Sequence, residues 1–174
     1  MAKAGLIRVL LVEDNSIVIQ TVRSVLQNYP NIEVVGEAGD GEEGVLKAGQ
    51  LKPAVVLMDI NIPKMDGIAA TRLIKANYPH VAVVGLTLDT QGYNLDAMQK
   101  AGAFEVLSKE KAFDELYGTI QRAVASIQPI LSLEDAPASA KSHTELEASA
   151  NPSPQDVPAK DSKDMTGRQS GSEN

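Results

Sequence analysis

Carboxylate, hydroxyl and ammonium side chains stand at the ends of apolar runs in this sequence. Asp59 directly follows the most apolar of these runs, and Glu13 and Asp14 follow the first one. Thr87 and Lys109 close two later runs. A carboxylate costs several kcal/mol to bury unpaired, so an acid at the end of a buried strand requires a cation or a reacting group beside it.

The three carboxylates have no histidine or cysteine partner, and such hard oxygen donors suit Mg²⁺. We expect Asp59 to be the central metal ligand and Asp14 to bind the ion directly. Glu13 would act through a metal-bound water, because Mg²⁺ keeps several waters when it binds to proteins. The backbone carbonyl of Asn61 would supply a further oxygen.

The same side chains predict transfer of a phosphoryl group to Asp59 as the nucleophile. Mg²⁺ offsets the repulsion between this carboxylate and an incoming phosphoryl donor. Lys109 adds a positive point charge, and the hydroxyl of Thr87 can hydrogen-bond a phosphoryl oxygen. In-line phosphoryl transfer requires mainly positioning and charge stabilisation, which these groups provide together. The product would be an aspartyl phosphate.

Strand-like and helix-like patterns alternate along the first 127 residues. Short apolar, β-branched runs predict five strands, Ile7–Val12, Glu33–Glu37, Ala54–Met58, Val81–Leu86 and Phe104–Leu107. The stretches between and after them have the periodicity of amphipathic helices. Three of these stretches have an apolar face, formed by Val18, Val22, Val25 and Leu26, by Ala69, Leu73 and Ala76, and by Phe113, Leu116, Ile120, Val124 and Ile127.

Local signals mark where these elements begin and end. Asp40 with Glu43 three residues later is typical of a capping arrangement, and it predicts a helix over Gly41–Leu51. Asp66 is expected to cap the third helix, and Asp14 is a candidate cap for the first. Four prolines are expected to lie between elements, where a missing N–H does no harm, at Pro30, Pro53, Pro79 and Pro129.

Five strands that alternate with five helices predict an α/β fold, a doubly wound parallel sheet with helices on both faces. In such a sheet the ligand crevice lies beyond the carboxyl ends of the strands. The five candidate site residues follow the ends of four strands, although they are spread over nearly a hundred positions. The fold itself is therefore expected to bring them together.

Residues 128–174 differ in composition from the rest of the chain. They contain five of the nine prolines, eight serines, four basic residues, eight acidic residues and no aromatic residue. Such a segment cannot bury enough apolar surface to offset the entropy lost on ordering it. We therefore predict a folded domain over residues 1–127 and a disordered, acidic, Pro/Ser-rich tail over residues 128–174.

Composition also argues against several classes of function. The net charge of −7 argues against a nucleic-acid-binding surface, which needs clustered Lys and Arg. No apolar stretch approaches the ~20 residues of a membrane span, and no signal peptide is recognisable. The absence of cysteine excludes disulfides and thiolate metal sites and fits a reducing compartment. We expect a cytoplasmic protein that does not enter a membrane.

Four segments, taken in order and spacing, resemble the receiver domain of response regulators in two-component signalling. They cover roughly residues 6–127, and together they are highly specific. The resemblance is strongest to receivers of LuxR-type regulators, and we expect no DNA-binding domain like theirs after residue 127. The segments are Val9-Leu-Leu-Val-Glu-Asp-Asn15, Val56-Leu-Met-Asp-Ile-Asn-Ile-Pro-Lys-Met-Asp-Gly67, Gly85-Leu-Thr87 and Ala101-Gly-Ala-Phe-Glu-Val-Leu-Ser-Lys109.

The resemblance implies a flavodoxin-like sheet with strand order 2-1-3-4-5. It implies Asp59 as phosphoacceptor, Glu13 and Asp14 as the acidic pocket, Thr87 as the switch hydroxyl and Lys109 as the phosphate-sensing lysine. The phosphoryl group would come from a histidine kinase or a histidine phosphotransfer protein. Output would pass to a downstream protein, or through a homodimer, without DNA binding by this chain. Catalysis would be limited to self-phosphorylation and slow self-dephosphorylation.

Two positions depart from the usual receiver pattern. Receivers usually carry an aromatic residue two or three positions before the lysine, where this chain has Val106 and Leu107. They usually have a small residue after the switch threonine, where this chain has Leu88. The coupled motion of threonine and aromatic ring therefore cannot operate in its usual form. These departures concern the surface that relays the signal and not the phosphoryl chemistry at Asp59.

The main alternative is a receiver-like module that binds partners without being phosphorylated, and the residues Leu88 and Val106 keep it open. A phosphatase of the haloacid-dehalogenase type would have its nucleophile after the first strand and a second Asp two residues on, where this chain has Asn61. A flavodoxin-like flavin carrier would need a phosphate loop after the first strand, where Glu13 and Asp14 would repel the flavin phosphate.

Overall fold

The computed structural model describes residues 5–88 and 93–134, in which strands and helices alternate strictly. The strands are β1 Ile7–Val12, β2 Ile32–Ala38, β3 Val55–Asp59, β4 Ala82–Thr87 and β5 Glu105–Ser108. The helices are α1 Ser16–Leu26, α2 Gly41–Leu51, α3 Gly67–Asn77, α4 Tyr93–Lys100 and α5 Lys109–Glu134.

The five strands form one parallel sheet in the order β2-β1-β3-β4-β5. The predicted fold class and strand order are therefore confirmed. The order reverses between β1 and β3, so the crevice expected at that switch point opens beside the last residues of these two strands. In the register of β3 with β4, Asp59 lies opposite Leu86, which places Thr87 one residue further on.

Alternate residues of the central strands face two separate apolar cores. Leu11 and Leu57 face the core that α1 and α5 cover, where Leu26 and Leu116 are buried. The intervening strand residues face a second core under α2, α3 and α4. Every residue of β3 is buried, as expected for a strand that helices cover on both faces.

The helix starts are stabilised by side chains that accept backbone hydrogen bonds. Asp40 accepts from the amide of Glu43 at 2.8 Å, and Asp66 accepts from that of Ala69 at 2.8 Å, so both predicted caps are confirmed. The first helix is different, because its cap is Asn15, which accepts from Ile17 at 2.9 Å. Asp14 is therefore not the cap of α1.

The buried face of α3 is not the one that its apolar spacing predicted. Ala70, Thr71 and Ile74 are fully buried, whereas Leu73 is 41% exposed. The two faces contain similar small and branched residues, so the local sequence cannot rank them. Contact with the sheet decides which one is covered.

Element boundaries differ from the predicted ones in three ways. Strand β2 begins one residue earlier and ends one residue later than predicted. Strands β3, β4 and β5 begin and end one residue later than predicted, so that Asp59 and Thr87 are the last residues of their strands. Helix α5 continues to Glu134, and Pro129 lies inside it and not between elements. The helix thus continues past the predicted boundary at residue 127, while residues 135–174 lie outside the described part of the chain. None of the helices in the described ranges has the length and apolar character needed to cross a membrane.

Candidate functional site

The carboxyl edge of the sheet brings the predicted acidic residues together. One carboxylate oxygen from each of Glu13, Asp14 and Asp59 lies within 4.8 Å of the others. Glu13 and Asp59 are each only 3% exposed, and Asp14 is exposed at the rim. The cluster therefore has a buried inner part and one side open to solvent.

Lys109, the first residue of α5, places its ammonium between the two buried carboxylates. Its Nζ lies 2.7 Å from Oε2 of Glu13 and 2.9 Å from Oδ2 of Asp59, to which it donates a hydrogen bond. Burial disfavours the charged lysine, but the contacts with Asp59 and Glu13 outweigh this effect and raise the pKa of Lys109. The lysine therefore remains an ammonium at neutral pH.

Glu13 accepts one backbone hydrogen bond and pairs with the ammonium of Lys109. Its Oε1 accepts from the amide of Asn15 at 3.2 Å. Its buried Oε2 has the ion-pair contact with Lys109 but no aligned hydrogen bond within the described residues. Burial raises the pKa of Glu13, the charge of Asp59 adds to this, and the contacts with Lys109 and Asn15 oppose it.

The loop after β3 holds Asp59 from the other side. Oδ1 of Asp59 accepts from the amide of Asn61 at 3.2 Å, so the residue expected to offer a carbonyl to the metal is already in contact with the acid. Ile60 and Ile62 are 2% and 8% exposed and anchor the loop in the core, while Asn61 between them is exposed. Asn61 is therefore an exposed residue between two buried anchors, with its amide directed at Asp59.

This donor set fits a divalent cation. Three carboxylates face one ammonium, which leaves two negative charges that a single Mg²⁺ would neutralise. All the donors are oxygens, which hard cations prefer, and one buried carboxylate oxygen lacks an aligned hydrogen bond. Thr87 is fully buried at the end of the neighbouring strand β4. The structure thus brings the acids and Lys109 into contact, and their chemical roles stay predictions.

The sequence pattern missed several contacts around this site. Asn15 serves both as the cap of α1 and as a donor to Glu13, and its type directly before a helix start is the signal that identifies it. An ion pair joins Asp40 to Lys64 across 24 positions, and no local pattern indicates it. A cavity of about 250 Å³ also adjoins Lys109, and it is lined by Asn15, Val18, Val22, Leu86, Leu88, Lys109, Glu110 and Ala112.

Met98 of α4 and Val106 of β5 meet at Gly85 of β4. A β-carbon at Gly85 would lie 3.2 Å from atoms of both Met98 and Val106. The sulfur of Met98 also accepts a hydrogen bond from the buried hydroxyl of Thr71 at 3.5 Å. The side chain of Met98 therefore packs over Gly85 of β4, beside Val106 of β5.

Comparison with known proteins assigns the chain to a family. The model of the family described as response regulator receiver domain matches residues 9–121. The response regulator GacA of Pseudomonas protegens is 36% identical over 120 residues, which are 69% of this chain and 56% of that protein. The protein-glutamate methylesterase/protein-glutamine glutaminase 1 of Geobacter sulfurreducens is 39% identical over 132 residues, which are 70% of this chain and 36% of that protein.

A solved structure agrees with these sequences. A two-component response regulator of the LuxR family from Aurantimonas sp. superimposes with a TM-score of 0.65 at 27% identity, over 77% of this chain and 98% of that one. The chain belongs to the response regulator receiver domain family. It spans about half the length, or less, of the curated relatives compared here.

Proposed function

We propose that this chain is a phosphoacceptor of a two-component phosphorelay and that Asp59 takes the phosphoryl group. The observation that carries the proposal is the position of Asp59, which is buried at the carboxyl end of β3 between Lys109 and two further carboxylates. The ammonium of Lys109, together with a divalent cation bound by the carboxylates, would stabilise the charge that builds up on a transferred phosphoryl group. Family membership supports the same assignment.

In the proposed reaction a carboxylate oxygen of Asp59 forms a new bond to phosphorus. The bond between phosphorus and the imidazole nitrogen of the donor breaks, and its electron pair leaves with the imidazole. The donor is a phosphorylated histidine of a kinase or of a phosphotransfer protein. The product is an acyl phosphate on Asp59, which water later hydrolyses.

The neighbouring residues position and neutralise the reacting groups. Asp14, Asp59 and the carbonyl of Asn61 would hold Mg²⁺, with Glu13 acting through water, and the bound ion would supply positive charge to the phosphoryl oxygens. When Asp59 carries the phosphoryl group, the ammonium of Lys109 moves from the carboxylate to a phosphoryl oxygen. The movement is short, because Nζ already lies 2.9 Å from the carboxylate. The hydroxyl of Thr87 donates to another phosphoryl oxygen.

Output by protein contact completes the proposal. Charge added at Asp59 biases the domain between two states, and a downstream protein or a second copy of the chain reads that change. The chain acts in the cytoplasm, does not itself bind DNA and catalyses only its own phosphorylation and dephosphorylation. The unphosphorylated partner-binding module is the alternative that a negative result would favour.

The experiment is intact mass spectrometry after incubation with acetyl phosphate and Mg²⁺. We expect one added phosphoryl group on the wild-type chain and none on Asp59→Asn or on wild type treated with a metal chelator. Asp66→Asn is the matched control, because it makes the same change at an exposed carboxylate and keeps a residue that caps α3. Unmodified wild-type protein, folded and treated with a donor of proven activity, would contradict the proposal.

A further inference from the structure

The loop that connects β3 to α3 contains a strained turn next to the acidic site. The amide of Met65 donates to the carbonyl of Pro63 at 2.8 Å, and Lys64 between them has a φ of 62°. This is a three-residue turn with a left-handed central residue, a rare and strained conformation for a side chain other than glycine. Such a turn persists only when its surroundings hold it in place.

The side chain of Lys64 itself contributes to that hold. Its Nζ lies 2.5 Å from Oδ2 of Asp40, in the loop between β2 and α2. The side chain of Asp40 is only 10% exposed, and its Oδ1 accepts the amide of Glu43 at 2.8 Å. One carboxylate therefore begins helix α2 and binds the neighbouring loop at the same time.

The two loops also touch through their backbones. A β-carbon at Gly41 would overlap the backbone carbonyl of Met65, so the two main chains lie in direct contact. Asp40, Gly41, Lys64 and Met65 thus form one contact, which we call the loop clamp. It lies at the same edge of the sheet as the acidic site, because both loops follow strand ends.

The clamp acts on a residue that touches the phosphoacceptor candidate. Asn61 stands three positions before Lys64, and its amide donates to Asp59 at 3.2 Å. Asn61 itself is exposed, whereas the residues on either side of it, Ile60 and Ile62, are buried in the core. Only Ile62 and Pro63 separate Lys64 from Asn61, so we expect a displacement at Lys64 to shift the backbone of Asn61 relative to Asp59.

We propose that Asp40 and Lys64 are a positioning pair for the acidic site, which holds the β3–α3 loop so that the backbone of Asn61 stays beside Asp59. Neither side chain touches the reacting groups. The consequence for metal binding rests on the proposed function, whereas the restraint on the loop does not.

The first measurement is the dissociation constant of Mg²⁺, by calorimetry, for the wild type and Lys64→Met. Loss of a positive charge would by itself tighten cation binding, so electrostatics and positioning predict opposite signs. We expect Lys64→Met to weaken Mg²⁺ binding by about threefold or more, below the roughly 10- to 100-fold cost of losing a direct outer-shell partner. Lys64→Arg keeps the ion pair and should bind like the wild type.

Two further variants separate the pair from general charge effects. Asp40→Asn removes the charge but keeps a good helix cap, and it should match Lys64→Met, with no additional loss in the double variant. Lys52→Met is the control, because Lys52 is also left-handed, with a φ of 47°, but follows the other end of α2. Equal effects of Lys52→Met and Lys64→Met, or tighter binding in Lys64→Met, would overturn the proposal.

Amide hydrogen exchange of residues 60–67 in metal-free protein supplies a readout that does not depend on the metal. Exchange should become faster in Lys64→Met and stay unchanged in Lys52→Met. Unchanged exchange in Lys64→Met would overturn the clamp. If the wild type bound no Mg²⁺, the metal assignment of the proposed function would fail, and the exchange measurement would still decide the clamp.

Discussion

Gly67 lies directly against the backbone carbonyl of Asp59, so that a β-carbon at position 67 would overlap that oxygen. The amide of Gly67 also donates to the carbonyl of Ile60 at 3.0 Å. The chain thus turns from β3 into α3 within van der Waals distance of the candidate phosphoacceptor, and only a residue without a side chain fits in this turn.

Gly67→Ala should therefore destabilise the fold. The added methyl group meets backbone, which cannot move aside as a side chain can, and overpacking of this kind costs about 1–3 kcal/mol. Urea unfolding followed by circular dichroism measures the loss. Gly39→Ala is the control, since a β-carbon there has open space within 4 Å, and equal stability of the two variants would contradict the prediction.

Lys109→Met should destabilise the metal-free protein, because it leaves Glu13 and Asp59 buried without a cation. Removing one member of a buried ion pair costs about 3 kcal/mol or more. Saturating Mg²⁺ should restore part of the loss, since the ion replaces the missing charge. Urea unfolding with and without Mg²⁺ tests this, with the exposed Lys111→Met expected to differ from the wild type by less than about 0.5 kcal/mol.

The pH dependence of stability should report on the charge of Asp40. The hydrogen bond from the amide of Glu43, and then the contact with Lys64, hold the pKa of Asp40 below its usual value. The unfolded chain therefore binds this proton more readily, so the stabilisation is complete above the usual aspartate pKa of about 3.9 and is lost as pH falls through the lowered folded value.

Wild type should accordingly be more stable than Asp40→Asn at neutral pH, and the two stabilities should converge on acidification. Unfolding in urea at a series of pH values between about 7 and 3 measures this difference. A difference that stays constant over that range would show that the carboxylate charge is not its cause.

The stacked rings of Tyr29 and Tyr117 should couple α5 to the segment that follows α1. Their centroids are 3.8 Å apart and their planes differ by 6°. A double-mutant cycle with Tyr29→Leu and Tyr117→Leu should give a coupling free energy of about 0.5–1.5 kcal/mol, measured by urea unfolding. If the losses in unfolding free energy of the two single variants simply added, the ring contact would stabilise the fold only through the apolar area that it buries.

The sequence alone could not predict which residues from distant parts of the chain contact each other. Lys109 was predicted at the site, but its place between Glu13 and Asp59 depends on how α5 begins after β5. The ion pair of Asp40 with Lys64 depends on two loops that lie far apart in the chain. A local pattern carries information about the face of an element, and it carries none about which element lies opposite.

The sequence by itself determined the class of fold and the edge of the sheet at which the site forms. Short apolar, β-branched runs distinguish the strands from the helices, which have a period of about 3.6 residues, and parallel strands necessarily end at the same edge. The tertiary structure decided the buried face of α3, the helical position of Pro129, and the partners of each buried charge. These depend on packing and on electrostatic contacts across the fold, whose energies exist only once the elements have come together.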